Sequence, residues 1–144
     1  MGFTEAVRTV LTQKYITFSG RASRSEFWWF QLFNWLVGGL FSILGILTGA
    51  NGAPWSSTNI FSIIGGLYAL ATLLPMIALL VRRFHDRNIS GWWVLGLFVV
   101  CFIPLVGLIA AIAFLVICVL RGTEGPNRFG PDPLRPEARA EVFA

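Results

Sequence analysis

The run WWVLGLFVVCFIPLVGLIAAIAFLVICVL, Trp92 to Leu120, carries no charged residue, and its reading decides how often the chain crosses a membrane. One crossing of a ~30 Å hydrocarbon core takes about 20 apolar residues and two take about 40. The run lies between those lengths. A single tilted helix, kinked at Pro104, is the simplest fit. A shallow re-entrant hairpin broken over Ile103-Pro104-Leu105-Val106-Gly107 is the alternative.

Two further apolar segments precede it. Residues 27–48 and 60–81 are each long enough, at ~1.5 Å per residue, to span the same layer, and Pro75 is expected to kink the second. The first segment follows a short amphipathic stretch, residues 3–15. There Phe3, Val7, Val10 and Leu11 share one helical face and Glu5, Arg8, Thr12 and Gln13 lie largely opposite, as in a helix resting on a membrane surface. Residues 50–59 (ANGAPWSSTN) are an uncharged turn-rich loop, 82–91 (RRFHDRNISG) a basic one, and 121–144 a Gly- and Pro-rich tail with helical periodicity only at 136–143. The expected fold is an all-α membrane protein: one integral domain over 1–144, with an interfacial helix at 3–15, transmembrane helices at 27–48, 60–81 and 92–120, and an extramembrane tail.

Composition supports that class. The 144 residues are 56% hydrophobic and 12% charged, against about 45–50% and about 25% in soluble domains, and mean hydropathy is +0.71. This excludes a soluble globular domain and a disordered chain. The first two dozen residues contain no apolar core suited to a secretory signal, so no cleaved leader is expected. The net charge of +4, carried almost wholly by Arg, marks a cytoplasmic membrane face rather than nucleic-acid binding. Arg8, Lys14, Arg21 and Arg24 flank the first span and Arg82, Arg83 and Arg87 follow the second, while the intervening loop has no cation. The positive-inside rule therefore sets the N-terminus and the 82–91 loop in the cytoplasm. Three spans would then carry the tail outside despite Arg121, Arg128, Arg135 and Arg139, a conflict that its acids do little to relieve.

Three segments, GRASRSEFWWF (20–30), RRFHDRNISGWW (82–93) and GTEGPNRFGPDP (122–133), resemble the signatures of the domain of unknown function 805 family. The resemblance covers roughly residues 15–133, with Phe84 where the family usually has Leu. It implies a small, helical, multi-pass protein of a bacterial inner membrane, and it transfers no catalytic residue.

The basic and aromatic residues form the first candidate site. Arg21, Arg24, Arg82, Arg83 and Arg87 are expected at the cytoplasmic boundary beside Trp28, Trp29, Trp92 and Trp93, as a ring that anchors the protein or binds an anionic lipid headgroup. Glu26 and Asp86 have another available role, pairing with arginines to tie the first span to the 82–91 loop. Ser23 and Glu26 have capping-box spacing, Ser90 suits the N-cap of the third segment, and His85, beside Asp86, is read as a structural residue of a turn. Neither a catalytic triad nor a metal set is expected from His85, Asp86 and Ser90. Cys101 and Cys118 are read as buried, inert thiols. Within the spans, Gln31 and Asn34 are expected to hydrogen-bond between helices. Gly38, Ser42, Gly45 and Gly49, and Ser62, Gly66 and Ala69, form small-residue stripes for close helix packing.

No ionisable residue lies deep in any span, which disfavours proton relays and ion-coupled transport. The expected function is therefore a non-enzymatic accessory or scaffold subunit without cofactor, packing against a larger integral complex of respiratory, photosynthetic or transport type. An anionic-lipid-binding protein is the alternative and a small oligomeric channel or transporter the second alternative.

Overall fold

The computed structural model describes residues 1–48 and 59–135. Gly49, residues 50–58 of the loop and the tail from 136 onward, with its expected helical period, lie outside them. The described residues are helical and include no strand: α1 (Phe3–Arg8) continued by a π-helical turn (Thr9–Gln13), α2 (Arg24–Leu47), α3 (Ile60–Asp86), α4 (Trp92–Val100) and α5 (Val106–Val119).

α2 and α3 are long and apolar enough to cross a membrane. The Ser23 hydroxyl starts α2 by accepting from the Glu26 N–H at 3.2 Å, which satisfies one of the free donors of the first turn. Asn59 does the same for α3, accepting from the Phe61 N–H at 2.9 Å. Its amide also donates to the Thr48 hydroxyl at 2.6 Å, tying the start of α3 to the end of α2. Along the pair, Tyr68 donates to Asn34 Oδ1 at 2.7 Å, and Gly65 lets the backbone of α3 approach Phe41. Gly45 is buried, but Gly38 and Gly66 face open space within this chain, and Ser42 and Ala69 are exposed. Gln31 Oε1 is buried with no hydrogen-bond partner among the described residues. The outward faces carry Leu36, Leu40, Leu67 and Leu70, all more than half exposed. Burial of such a side chain contributes roughly 1.5–3 kcal/mol in water, so a hydrocarbon solvent is what makes these helices stable.

α3 runs unbroken through Pro75. Proline has no N–H, so the carbonyl four residues earlier loses its helical donor. That carbonyl belongs to Ala71, and the Tyr15 hydroxyl donates to it. The amphipathic N-terminal stretch is thereby fastened to α3. Its apolar side lies on α2, where Phe3 meets Trp29 and Phe33 edge-on and Val10 joins Phe27, Phe30, Leu79 and Cys118 in the core. The core thus sits at one end of the molecule, where α1, α2, α3 and α5 converge.

The third apolar run is two helices rather than one kinked helix. α4 has 9 residues and α5 has 14, about 14 Å and 21 Å at ~1.5 Å per residue, so neither crosses ~30 Å alone. Pro104 and a left-handed Leu105 (φ 65°) redirect the chain, and Gly107 packs so closely on the Cys101 carbonyl that a Cβ would overlap it. α4 and α5 pack on each other. The chain leaving α5 returns to the end of α3, where the Thr123 N–H donates to the Asp86 carbonyl at 2.8 Å. The run is therefore a hairpin whose two ends meet at the same end of α3.

Tyr15→Phe is expected to lower stability by about 1 kcal/mol, the value of one hydrogen bond to a carbonyl that lacks other donors. In a Pro75→Ala background, where residue 75 regains its N–H, the same change should cost clearly less. Thermal unfolding of the four proteins in one detergent checks the coupling.

Candidate functional site: a buried arginine–carboxylate network and its adjoining cavity

The end of the molecule where α2 begins and α3 stops holds five buried side chains joined in ion pairs. Arg82 and Arg83 are fully buried, and Arg21, Glu26 and Asp86 are at most 5% exposed. They are neighbours because Ser23 begins α2 just after Arg21, which leaves Glu26 in its first turn, while Arg82, Arg83 and Asp86 fall in the final five residues of α3. Arg82 Nη1 donates to Glu26 Oε1 at 2.6 Å. Asp86 serves two cations: Oδ1 accepts from Arg21 Nε at 2.9 Å, and Oδ2 accepts from Arg83. Backbone carbonyls supply further acceptors for Arg21 and Arg83, whereas Arg82 Nε and Nη2 are buried with no hydrogen-bond partner among the described residues. Arg21 donates to the Gly125 carbonyl at 2.6 Å and the Thr123 carbonyl at 2.5 Å. Arg83 donates to the Cys118 carbonyl at 3.2 Å and to the Leu120 carbonyl. The latter two lie at the C-terminus of α5, whose unpaired carbonyls and partial negative charge favour a cation.

The network therefore joins α2, α3, α5 and the segment after α5. Gly122 sits against the Asp86 carboxylate so tightly that any Cβ would overlap it. Asn127 donates to the His85 carbonyl at 2.9 Å and to the Thr123 hydroxyl at 2.8 Å. Asp132, itself buried, accepts from the Gly125 and Leu134 N–H groups at 3.1 and 2.9 Å, which closes the turns of the tail.

His85 faces away from this carboxylate chemistry. Its Nδ1–H donates to the Gly20 carbonyl at 3.1 Å, and its ring stacks on Phe129 with centroids 3.9 Å apart. Arg128 lies 4.6 Å from the Phe129 ring centroid, a cation–π distance. Phe129 thus pins the tail to α3. Ser90 does not cap α4: Gly91 holds the N-cap position with no side-chain bond, and the Ser90 carbonyl accepts from the Trp93 N–H. Gly91 is required there because a side chain would collide with Val81. Among the described residues, no group of three His, Cys, Asp or Glu side chains could hold a metal ion. Cys118 is buried, whereas Cys101 is exposed in the hairpin turn.

Arg21, Arg82 and Arg83 thus lie inside the protein rather than on an exposed ring. Arg87 is half-buried and donates to the Arg121 carbonyl. Arg24 is exposed, as are Trp29, Trp92 and Trp93, and Trp28 is half-buried against Phe27. Arg24 faces a cavity of about 550 Å³ bounded by the start of α2 and the tail, with Arg121 and Arg135 in its wall. A second, larger depression of about 1300 Å³ runs between α2, α3 and the α4–α5 hairpin, and Trp28 lines both. Thr123, Asn127 and Asp132 of the GTEGPNRFGPDP segment complete the site; Asn and Asp among Gly and Pro mark local turn bonds, but no local rule marks the reach of Thr123 and Asn127 to the Asp86 and His85 carbonyls.

Glu26→Gln strands a fully buried guanidinium and is expected to cost about 3 kcal/mol or more. Replacing the pair together, Glu26→Leu with Arg82→Met, should recover most of that loss, since two apolar side chains leave no buried charge. Unfolding curves for the single and double variants in one detergent measure the difference.

Residues 15–131 match the family described as "Protein of unknown function (DUF805)". The chain is 40% identical over 121 residues to "Inner membrane protein YhaI" of Escherichia coli K12, covering 84% of this chain and 89% of that protein. It is 36% identical over 121 residues to "Inner membrane protein YhaH" of the same strain, covering 84% and 90%. "Uncharacterized protein YiiR", also from that strain, is 29% identical over 145 residues, covering 85% and 89%. No solved structure matches the chain significantly. With the matched region running from Tyr15, the residue that braces α3, to the tail turns that close over Asp86, the chain belongs to the DUF805 family.

Proposed function

We propose that the protein is a non-enzymatic accessory subunit of the bacterial inner membrane that packs against a larger integral complex. The observation that carries this reading is the use made of the charged groups. Glu26 and Asp86 are paired with Arg82, Arg21 and Arg83, Asp132 is held by backbone N–H groups, and His85 is held between Gly20 and Phe129. A nucleophile needs an adjacent free base, and these groups are committed to holding helices together. The means of action left to the molecule is surface. Gly38, Gly39 and Gly66 present backbone with open space beside it, and small residues of this kind permit close approach of another helix.

The same reading gives the protein two crossings, α2 and α3, with α4–α5 as a hairpin that enters and leaves on the cytoplasmic side. Its support is the distribution of charge. Arg21, Arg82, Arg83, Arg87, Arg121 and Arg128 are linked by hydrogen bonds at one end of the molecule, so the positive-inside rule applies to all of them together. The conflict over the basic tail then disappears.

Extraction in a mild detergent followed by native sizing should recover the protein in an assembly much larger than its own mass, with a second membrane protein in stoichiometric amount. Migration solely as a free monomer would refute the accessory role. A reporter fused after Ala144 should be fluorescent as green fluorescent protein and inactive as alkaline phosphatase; the reverse pattern would refute the hairpin topology.

A further inference from the structure

The cavity beside the ion-pair network differs from the network in one respect: its cations are unmatched. Arg24 opens α2, Arg121 follows α5 and Arg135 belongs to the tail, and all three are exposed. No side-chain hydrogen bond or ion pair occupies any of them among the described residues, whereas Arg21 in the floor is held by Asp86. Three carboxylates also border the space. Asp86 is bound to Arg21 and Arg83, and Asp132 is held by the Gly125 and Leu134 N–H groups. Glu124 alone is exposed and unmatched. The cavity therefore retains an excess of positive charge at the polar end of α2. Guanidinium forks from three segments, with the Ser25 hydroxyl among them, suit the oxygens of a phosphate group.

Trp28 connects this cavity to the apolar depression. From Trp28 that depression descends along Gln31 and Trp35 of α2, which lie on one helical face at spacings of three and four. Leu80 and Ile77 of α3 and Ala111 of α5 form other walls. The stretch from Trp28 to Trp35 covers about 10 Å at ~1.5 Å per residue, directed away from the polar end. A phosphate-binding cavity and an apolar channel that share one indole wall match one kind of molecule.

We propose that the protein binds a single anionic phospholipid, with its phosphate among Arg24, Arg121 and Arg135 and an acyl chain in the groove between α2, α3 and the α4–α5 hairpin. Trp28 stands at the junction of headgroup and chain, the position indole rings favour in membranes. The inference is independent of the accessory role, since it concerns the inner face of the hairpin and not the outward glycines.

The test uses the full chain purified in a mild detergent, with retained lipid measured by native mass spectrometry and binding by thermal stabilisation with dioleoyl phosphatidylglycerol, dioleoyl phosphatidylcholine, glycerol 3-phosphate and inorganic phosphate. Phosphatidylglycerol should be retained and should stabilise at lower concentration than the other three. Arg24→Gln/Arg121→Gln/Arg135→Gln should weaken it on the order of a hundredfold, the combined effect of three basic residues at a membrane surface. Glu124→Gln should tighten it severalfold. Ala111→Trp, which fills the groove from an exposed position, should weaken it at least tenfold without lowering the melting temperature of the lipid-free protein. Equal stabilisation by phosphatidylcholine, or unchanged affinity in the triple Arg variant, would overturn the headgroup site. Equal stabilisation by glycerol 3-phosphate or inorganic phosphate, or no effect of Ala111→Trp, would overturn the lipid assignment.

Discussion

Asp86 accepts from Arg21 and Arg83 at once, and the other long-range contacts at its end of the molecule are arranged around that carboxylate. A buried carboxylate or guanidinium costs several kcal/mol to desolvate and is tolerated only with good geometry and further hydrogen bonds. Here two cations share one anion, and the excess is absorbed by carbonyls at the end of α5 and in the tail. The return of the hairpin to α3, the bare backbone at Gly122 and the turns closed by Asp132 all follow from the need to supply those oxygens. The network is thus a constraint on topology: α5 has to end where Arg83 can reach its last carbonyls.

A second constraint acts in the middle of α3. Pro75 leaves a carbonyl without its donor in a helix otherwise facing hydrocarbon, where an unsatisfied backbone group is most costly. Tyr15 supplies the missing donor from the segment that follows α1. The N-terminal region is consequently part of the packed structure and not merely a float on the membrane surface. It covers the core, and its Val10 side chain has no exposure.

Much of the scaffold was legible in the sequence because local rules govern it. Apolar length marked α2 and α3, the Ser23–Glu26 spacing marked the start of α2, and the face shared by Val7, Val10 and Leu11 marked the buried side of the N-terminal stretch. The Asn34 amide, singled out as a bridge between helices, meets Tyr68. The Trp92–Leu120 run was less legible, since its length suits neither one crossing nor two. What resolves it is the hydrogen bonding of Arg83 to the end of the run, at Cys118 and Leu120, and of Asp86 and Arg87 to Thr123 and Arg121 just beyond it. The inward position of Arg82 and Arg83 was illegible for a related reason: charge and periodicity locate a residue along a helix, but burial depends on which segment returns to cover it. Glu26 was visible as a possible mate for an arginine, yet its choice of Arg82 rests on the tertiary approach of α2 to α3. Ser90 follows the capping rule in sequence and not in space, because Gly91, squeezed against Val81, takes that position.

The distances along the chain between these partners impose an order in time. Arg21 is separated by 104 residues from the Gly125 carbonyl that receives it, and Arg83 by 37 from the Leu120 carbonyl. While the polypeptide is still being synthesised, the first two long helices must enter the bilayer with guanidiniums that as yet lack those oxygens. The segment from Cys118 to Gly125 is what supplies the carbonyl oxygens that Arg21 and Arg83 bond. A nascent or prematurely terminated product therefore displays raw charge at the base of its helices, the kind of defect by which membrane proteases distinguish an unfinished protein from a finished one.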